Sequence, residues 1–577
     1  MVKSAVFLFI EILFLYNLLK IKINDKIDQL VTRLPLMLII IMCIHAMGAG
    51  ILSLFGINIS LISIGIIDLI LLILLFIIRT KTCNQKYQFS KNNSLFYISL
   101  TLGVVLFGLV LFGRKLEIHF WSVDASAHYS MAQYVVKNHS FNNNLYFSAL
   151  NNGLAMMVMK PFVGEQFLYK VFIVMELFDL WIAGALFYGF INQIKQDKGI
   201  KSIVITAMYL LGYPLYAIIF GFSYFGAAIS LMVAGVCIEE RYYAKDITNK
   251  QFIVCMNLVL FSLFVCYTYL VPVMFGALFV LIILDKWKTT GKVVSKEMIL
   301  EELKIALIPC CLGMIFSISN LKELGSGGGI TNPGGCYFDL YSNFLLFCFL
   351  IVIGVYLSIK EKKILSVNLL SVFSLIFLAL LLCMSVQGKA SIYYVSKIYN
   401  VIWFCAFVHI YLGIRYLWNK YIELHKMIFV TMGIMGISFL FSIFPSSLNS
   451  AQYLRSGISG FGPDIYYFNM LARTNGIYIS DNEIKSYITI GKKYGNIRKQ
   501  NIVSVGYETN CGWFRALTEQ DTFVSYDINQ LKEKLNKTEY VFCMNNSSLV
   551  NENRAYLQSL GNIVYSNDYG FVIEITD

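Results

Sequence analysis

The feature that most constrains this chain is a recurrence of apolar runs, each about 17 to 23 residues long, which is the length a helix needs to cross a hydrocarbon core roughly 30 Å thick. Composition agrees, with 58% of the 577 residues hydrophobic and 14% charged. The fold expected is mainly α, a polytopic transmembrane helical bundle. Crossings are expected near 4–20, 35–55, 57–78, 94–112, 169–191, 202–220, 225–239, 252–268, 270–284, 304–320, 338–358, 364–386, 397–414 and 427–445, or about 14 in all. The run Phe252 to Leu284 is too long for one untilted helix, and Tyr267, Tyr269 and Pro272 near its middle suit a tight interfacial hairpin. The first run contains Glu11 and lacks a small-residue cleavage site, so it reads as a retained helix.

Basic residues recur in alternate loops: Lys20, Lys22, Lys26 and Arg33; Arg79, Lys81, Lys86 and Lys91; Lys195 to Lys201; Arg241, Lys245 and Lys250; Lys286 to Lys296; Lys360 to Lys363; and Arg415, Lys420 and Lys426. The positive-inside rule makes these loops cytoplasmic. Both termini then lie outside a multi-pass plasma membrane protein, with the 113–168 loop, the turn near 222, the segments 321–337 and 387–396, and the C-terminal tail. The formal charge of +12 is mostly this topology signal and does not indicate a nucleic-acid partner. Residues 1–445 form the membrane domain. After Pro445 short apolar stretches such as Ile502–Val505 and Tyr540–Cys543 alternate with polar helical ones such as Asn529–Leu535, so residues 446–577 read as a small extracytoplasmic α/β domain. Of 13 cysteines, only Cys336, Cys511 and Cys543 fall in outer regions and no CxxC pair occurs, so no zinc ribbon or disulfide framework is indicated, and a Cys511–Cys543 bridge stays open.

The longest internal polar segment, about 113–168, carries His119-Phe-Trp-Ser-Val-Asp124-Ala-Ser-Ala-His128. Asp124 and His128 are spaced i,i+4, so a short interfacial helix over Val123–Val136 puts them on one face. Ser122 and Asp124 both suit an N-cap, but a cap does not account for three of the chain's six histidines in one loop. The residues point to a catalytic base or a metal site, with Asp124, His119 and His128 as candidate ligands: Mg²⁺ or Mn²⁺ if carboxylate and phosphate oxygens dominate, a softer ion if both imidazoles bind. In the outer segment Gln387–Tyr399, Lys389 and Lys397 bracket Tyr393 and Tyr394. Outer-side lysines run against the positive-inside bias, which marks Lys389, Lys397, Tyr393 and Tyr394 as candidate phosphate ligands, beside the alternative of an aromatic belt with snorkelling lysines. The glycine-rich stretch Gly325–Gly335 reads as a mobile linker. Glu176 and Asp179, and more weakly Asp68 and Glu11, are expected to face the bundle interior.

The pattern Asp124-Ala-Ser-Ala-His128 in the first large outer loop resembles that of membrane glycosyltransferases of the GT-C fold, as do the large helix set and the C-terminal outer domain. The tail from Ile477 to Leu517 is similar to tails of bacterial membrane proteins of this type. The chain departs from the family in placing three additional spans before the one that leads into the loop, and in showing no clear second acidic pair. The resemblance implies a glycosyltransferase that draws sugar from a polyprenyl-phosphate donor held in membrane lipid and passes it to an extracytoplasmic acceptor, a cell-envelope glycan, lipid or protein. Such chemistry needs a base for the acceptor hydroxyl, here Asp124 with His128, and a cation for the phosphate, here Lys389 or Lys397. The other classes open are a lipid-linked oligosaccharide flippase or transporter, for which no internal repeat is visible, and a non-catalytic envelope assembly or sensor protein.

Overall fold

Runs of Leu, Ile, Val and Phe broken by Gly, Pro and Lys clusters satisfy their own backbone groups in apolar surroundings only as helices, and the computed structural model of the chain bears this out. It describes residues 1–21, 30–79, 91–141, 145–194, 200–292, 294–325, 328–331, 342–361, 364–421, 433, 478–536 and 538–576. The helices, in chain order, are α1 (Val2–Leu19), α2 (Leu30–Leu54), α3 (Leu61–Arg79), α4 (Lys91–Phe112), α5 (Asp124–Asn138), α6 (Phe147–Val163), α7 (Leu168–Ile194), α8 (Ile200–Leu210), α9 (Tyr213–Phe220), α10 (Ser223–Tyr243), α11 (Asn249–Tyr267), α12 (Val271–Thr290), α13 (Lys296–Gly325), α14 (Ser342–Lys360), α15 (Leu365–Val386) and α16 (Ile392–Lys420). The crossings expected up to 397–414 fall on helices, except that the one at 202–220 is broken at Leu211–Gly212 into α8 and α9 and that residues 338–341 of the one at 338–358 are not described. The last, 427–445, lies outside the described residues, as do the 445/446 domain boundary, Cys336 and most of the glycine-rich stretch.

Among the described residues nine helical stretches are long and apolar enough to cross a membrane by length and composition. One of them, Asn249–Lys288, has 40 residues, about 60 Å of helix at 1.5 Å per residue, and so must cross twice. It breaks at Tyr267, where φ −157° and ψ 86° leave the helical region, and a 3₁₀ turn over Thr268–Leu270 follows. From that turn α11 packs against α10 and α13, and α12 against α15.

The 17 residues of α6, which read as loop in the sequence, fold as helix beside α5, with Phe147, Leu150, Leu154 and Met156 buried. The α2–α3 turn reaches this layer, where the Ile59 N–H donates to the His139 carbonyl at 2.7 Å. The opposite end of the bundle gathers the basic loops: Lys286 pairs with Glu301 at 2.6 Å, Tyr242 donates to Glu301 at 3.1 Å, and Arg33 donates to the Leu19 carbonyl at 3.1 Å. One end is therefore basic, and the other carries α5, α6 and the aromatic turns.

The tail begins with β2 (Tyr478–Ile479), which pairs antiparallel with β1 (Ile118–His119). Then come α17 (Asp481–Tyr494), β3 (Ile502–Val505), α18 (Glu508–Thr518), β4 (Thr522–Val524), α19 (Asn529–Leu535), β5 (Tyr540–Met544), β6 (Gly561–Asn567) and β7 (Gly570–Ile575). The sheet order is β4-β3-β5-β7-β6, with β3 parallel to β4 and β5, and β7 antiparallel to β5 and β6. One side of the sheet holds a compact core of its own, including Val503, Val541, Leu557 and Ile573. Cys511 and Cys543 are both buried and free, so the bridge left open by the sequence is not formed.

The sequence suggests a tethered domain, and the structure shows a docked one. Asp481 accepts from the Tyr169 hydroxyl at 2.6 Å and from Lys170 at 2.9 Å. Although burial pushes the Asp481 carboxyl up, these two donors hold it below its usual range. Glu117 receives the Tyr478 hydroxyl and the Asp481 N–H, and Lys137 pairs with Glu519. The apolar centre of the joint is Trp513, fully buried, with ring centroids 6.1 Å from Phe120, 5.4 Å from Tyr129 and 6.4 Å from Phe172. Trp513→Ala is therefore expected to cost about 3–5 kcal/mol. The measurement is limited proteolysis of the detergent-purified protein against its thermal midpoint; a tail as resistant as wild type would mean that Trp513 does not hold the joint.

Candidate active site

Asp124 is the first residue of α5, and its carboxylate makes no capping bond; the N-cap is Val123. The Ser122 hydroxyl takes the free N–H of that turn, accepting from Asp124 N at 3.1 Å. The carboxylate is thus left half-buried and available. Burial pushes its pKa above the ordinary carboxylate range, Lys397 pulls it down and Glu508 pushes it up. One turn on, His128 is 7% exposed and its ring lies 4.6 Å from that of Tyr224. Burial, with a smaller push from Lys397, lowers His128 to about 3, so it is a neutral imidazole near pH 7, and its Nδ1 has no hydrogen-bond partner among the described residues.

Lys397 sits in the second turn of α16 and is 5% exposed. Its ammonium donates to the Tyr224 hydroxyl at 2.8 Å and lies 4.2 Å from the centroid of Tyr393, 5.0 Å from Tyr267, 5.1 Å from Tyr224 and 5.6 Å from Tyr394. Phe222 and Phe225 complete the cage at 5.5 and 5.7 Å. Tyr269 ties the hairpin turn to α16 by donating to the Tyr394 carbonyl at 2.5 Å. Three separate turns thus converge on one buried cation, whose cost of desolvation is partly offset by the ring quadrupoles. The space beside it, lined by Tyr216, Phe222, Phe225, Tyr393, Ser396, Lys397 and Asn400, is ≈ 10 Å³, room for about one water.

Two glycines allow this closeness. Gly221, at φ +67°, turns α9 into α10, and a Cβ there would meet Ala125 Cβ at 2.3 Å. At Gly512 a Cβ would meet Val123 at 2.4 Å and Ser126 at 2.6 Å, so α18 lies directly on the start of α5. That contact brings Glu508, the first residue of α18, within electrostatic reach of Asp124, and Glu508 accepts from the Tyr526 hydroxyl. Between α5 and the tail lies a cleft of ≈ 670 Å³ lined by Ser130, Tyr134, Gln133, Gln500, Arg515 and Asp521, among others; Asp124, His128 and Lys397 are not part of its lining.

Of the residues the sequence marks, the structure brings Asp124, His128, Lys397, Tyr393 and Tyr394 to one place. Lys389 is solvent-exposed on the turn after α15, outside the aromatic cage. His119 is buried on β1, with Nδ1 bonded to the Leu111 carbonyl at 2.8 Å and its ring edge-on to Tyr478. Asp124, His119 and His128 do not form a three-ligand cluster; among the described residues the group that does is Glu11, His45 and Asp68. Glu176 is fully buried, and Asp179 lines a small cavity with Tyr209 and Asn400. Sequence reasoning passed over Tyr224, Tyr267 and Glu508. The first two stood in the sequence only as turn and hairpin markers, and no local signal links Glu508 to a loop 384 residues away.

No family model matches the chain, and no curated protein matches it. Among solved structures the chain is similar to ArnT from Cupriavidus metallidurans in the apo state, at 11% identity over 83% of this chain and 97% of that one, with a TM-score of 0.43. It is likewise similar to the same protein bound to undecaprenyl phosphate, at 12% identity, the same coverage and a TM-score of 0.44. Likeness at this level says nothing about substrate or residue roles.

Proposed function

We propose that this chain is an integral membrane glycosyltransferase that moves a sugar from a polyprenyl-phosphate donor to an acceptor hydroxyl at the outer membrane face. The observation that carries the reading is that Lys397, a buried lysine at the end of the bundle, lies within electrostatic reach of Asp124, a half-buried carboxylate without a capping bond. A lipid-linked donor keeps its tail in the bilayer and its phosphate at this depth. Lys397 neutralises the phosphate as the bond to the anomeric carbon breaks, with the Tyr224 hydroxyl as a second donor. Asp124 takes the proton of the acceptor hydroxyl as its oxygen bonds to that carbon. His128, neutral, orients the acceptor through Nδ1. The cage around Lys397 is closed, so donor entry displaces Tyr393 or Tyr394. One of the similar structures holds undecaprenyl phosphate; the donor class proposed for this chain is of that kind, and it rests on Lys397 and Asp124 rather than on that likeness.

Transfer of labelled sugar from a polyprenyl-phosphate donor in proteoliposomes tests the reading. A covalent product supports it, whereas lipid translocation without any product assigns the chain to the flippases. The reading also requires Asp124 and the tail to face outward. Lys532→Cys, at an exposed tail position, is expected to react with an impermeant maleimide on intact cells above the wild-type background; protection until permeabilisation would reverse the orientation.

A further inference from the structure

Three polar residues on helices other than that of Lys397 meet inside the bundle. Glu11 on α1, His45 on α2 and Asp68 on α3 each lie seven to nine residues in from the helix end nearer the α5 layer, about 10–14 Å deep. His45 Nε2 is 3.1 Å from Glu11 Oε1 and 3.4 Å from Asp68 Oδ2. One ligand atom from each residue lies within 4.8 Å of the others. Side-chain exposure is 16% at Glu11, 8% at His45 and nil at Asp68, and Phe7 closes one side of the imidazole, ring to ring at 6.2 Å.

Charge and geometry both suit a bound cation. Two carboxylates within a hydrocarbon core are costly, and one imidazole supplies at most one positive charge. The Asp68 carboxylate is fully buried; Oδ2 meets only His45 Nε2 at 3.4 Å, and Oδ1 receives no hydrogen bond among the described residues. A tetrahedral ion with bonds of about 2.0–2.1 Å has ligand–ligand edges of about 3.3–3.4 Å, close to the two His45 distances. Magnesium and calcium take six or more ligands, mostly oxygens with several waters, whereas this cluster offers an imidazole and is closed in by apolar side chains such as Phe7. An imidazole with two carboxylates and one open position suits zinc.

We propose that Glu11, His45 and Asp68 bind a zinc-class divalent ion through His45 Nε2 and one oxygen of each carboxylate, with water as the fourth ligand. The ion leaves the cluster neutral and ties α1, α2 and α3 together. The site shares no residue with the Asp124–Lys397 pair, and it stands whatever reaction that pair performs.

The test is metal analysis of the full chain purified in detergent without chelator. The expected content is about one zinc per chain. After chelation, zinc chloride raises the thermal midpoint, and cobalt chloride gives the visible absorption of a four-coordinate site. Glu11→Gln and Asp68→Asn, each close to isosteric, reduce bound zinc to below about a tenth of an equivalent and abolish the rise. Should either variant fail to fold, the chelated wild type decides alone through the cobalt spectrum. Wild-type protein that takes up no zinc and shows no metal-dependent midpoint overturns the proposal, and would mean that the three groups share protons instead. Folded variants that bind zinc as wild type does overturn it as well, since the ion then sits elsewhere.

Discussion

Lys397→Met is expected to lower transfer by about 10² to 10³, the range seen when one preorganised donor to a developing anion is removed. Methionine keeps an unbranched apolar stem for the six rings to pack on, and losing a buried ammonium removes a desolvation cost, so the protein should fold and express as wild type. What disappears is the charge that meets the donor phosphate. The loss should appear in KM for the donor as well as in kcat, because a phosphate ligand acts on bound substrate and on the leaving group. Lys389→Met supplies the contrast: that side chain is exposed outside the cage, and its replacement should leave donor use near wild type. Equal losses from the two variants would show that the effect is long-range charge near the membrane surface, and would remove the donor phosphate from the cage.

The membrane helices were legible because period and length are written locally: a run of about 20 apolar residues has one stable form in lipid, and α1 to α4 and α7 to α16 fall where such runs are. The α5 helix was legible for the same reason, its i,i+4 pair being a property of five consecutive residues. The break at Tyr267 followed from length against bilayer thickness. By contrast, α6 was hidden. Its polar start Ser148–Asn152 resembles loop, and only tertiary burial against α5 and α7 explains why Asn151 and Asn152 lie within a helix.

The site divides along the same line. Asp124 and Lys397 were visible because a carboxylate beside a span and a lysine on the non-basic side each break a local statistical pattern. The cage was not visible, because Tyr224, Tyr267 and Tyr393 belong to turns 43 and 126 residues apart, and each alone has the appearance of an interfacial aromatic. Glu508 depends on the docking of the tail, which the sequence offered only as an independent unit. The Glu11–His45–Asp68 cluster was half-visible: both acids stood out in apolar runs, and His45 did not, since a single histidine in an apolar helix carries no sign of its partners.

Asp124→Asn is expected to cost about 10² to 10⁴ in kcat/KM, the usual yield of a positioned general base. The substitution is close to isosteric, and the helix start does not depend on the carboxylate, because Val123 is the N-cap and Ser122 accepts the Asp124 N–H. Removing a desolvated carboxylate should if anything stabilise the fold, so a loss of rate with an unchanged thermal midpoint isolates the chemistry. The pH profile gives a second reading. A base works only when deprotonated, and burial raises the pKa of Asp124, so activity should fall as pH drops through that raised value, above the roughly 3.9 of a free aspartate. His128, held at about 3, remains neutral over that window and adds no limb of its own. The acid limb should vanish with Asp124→Asn, leaving a low, flat rate. A variant with full activity, or one that retains the wild-type limb, would show that the proton goes to another group, and Glu508, the carboxylate facing Asp124 from α18, is then the residue to replace.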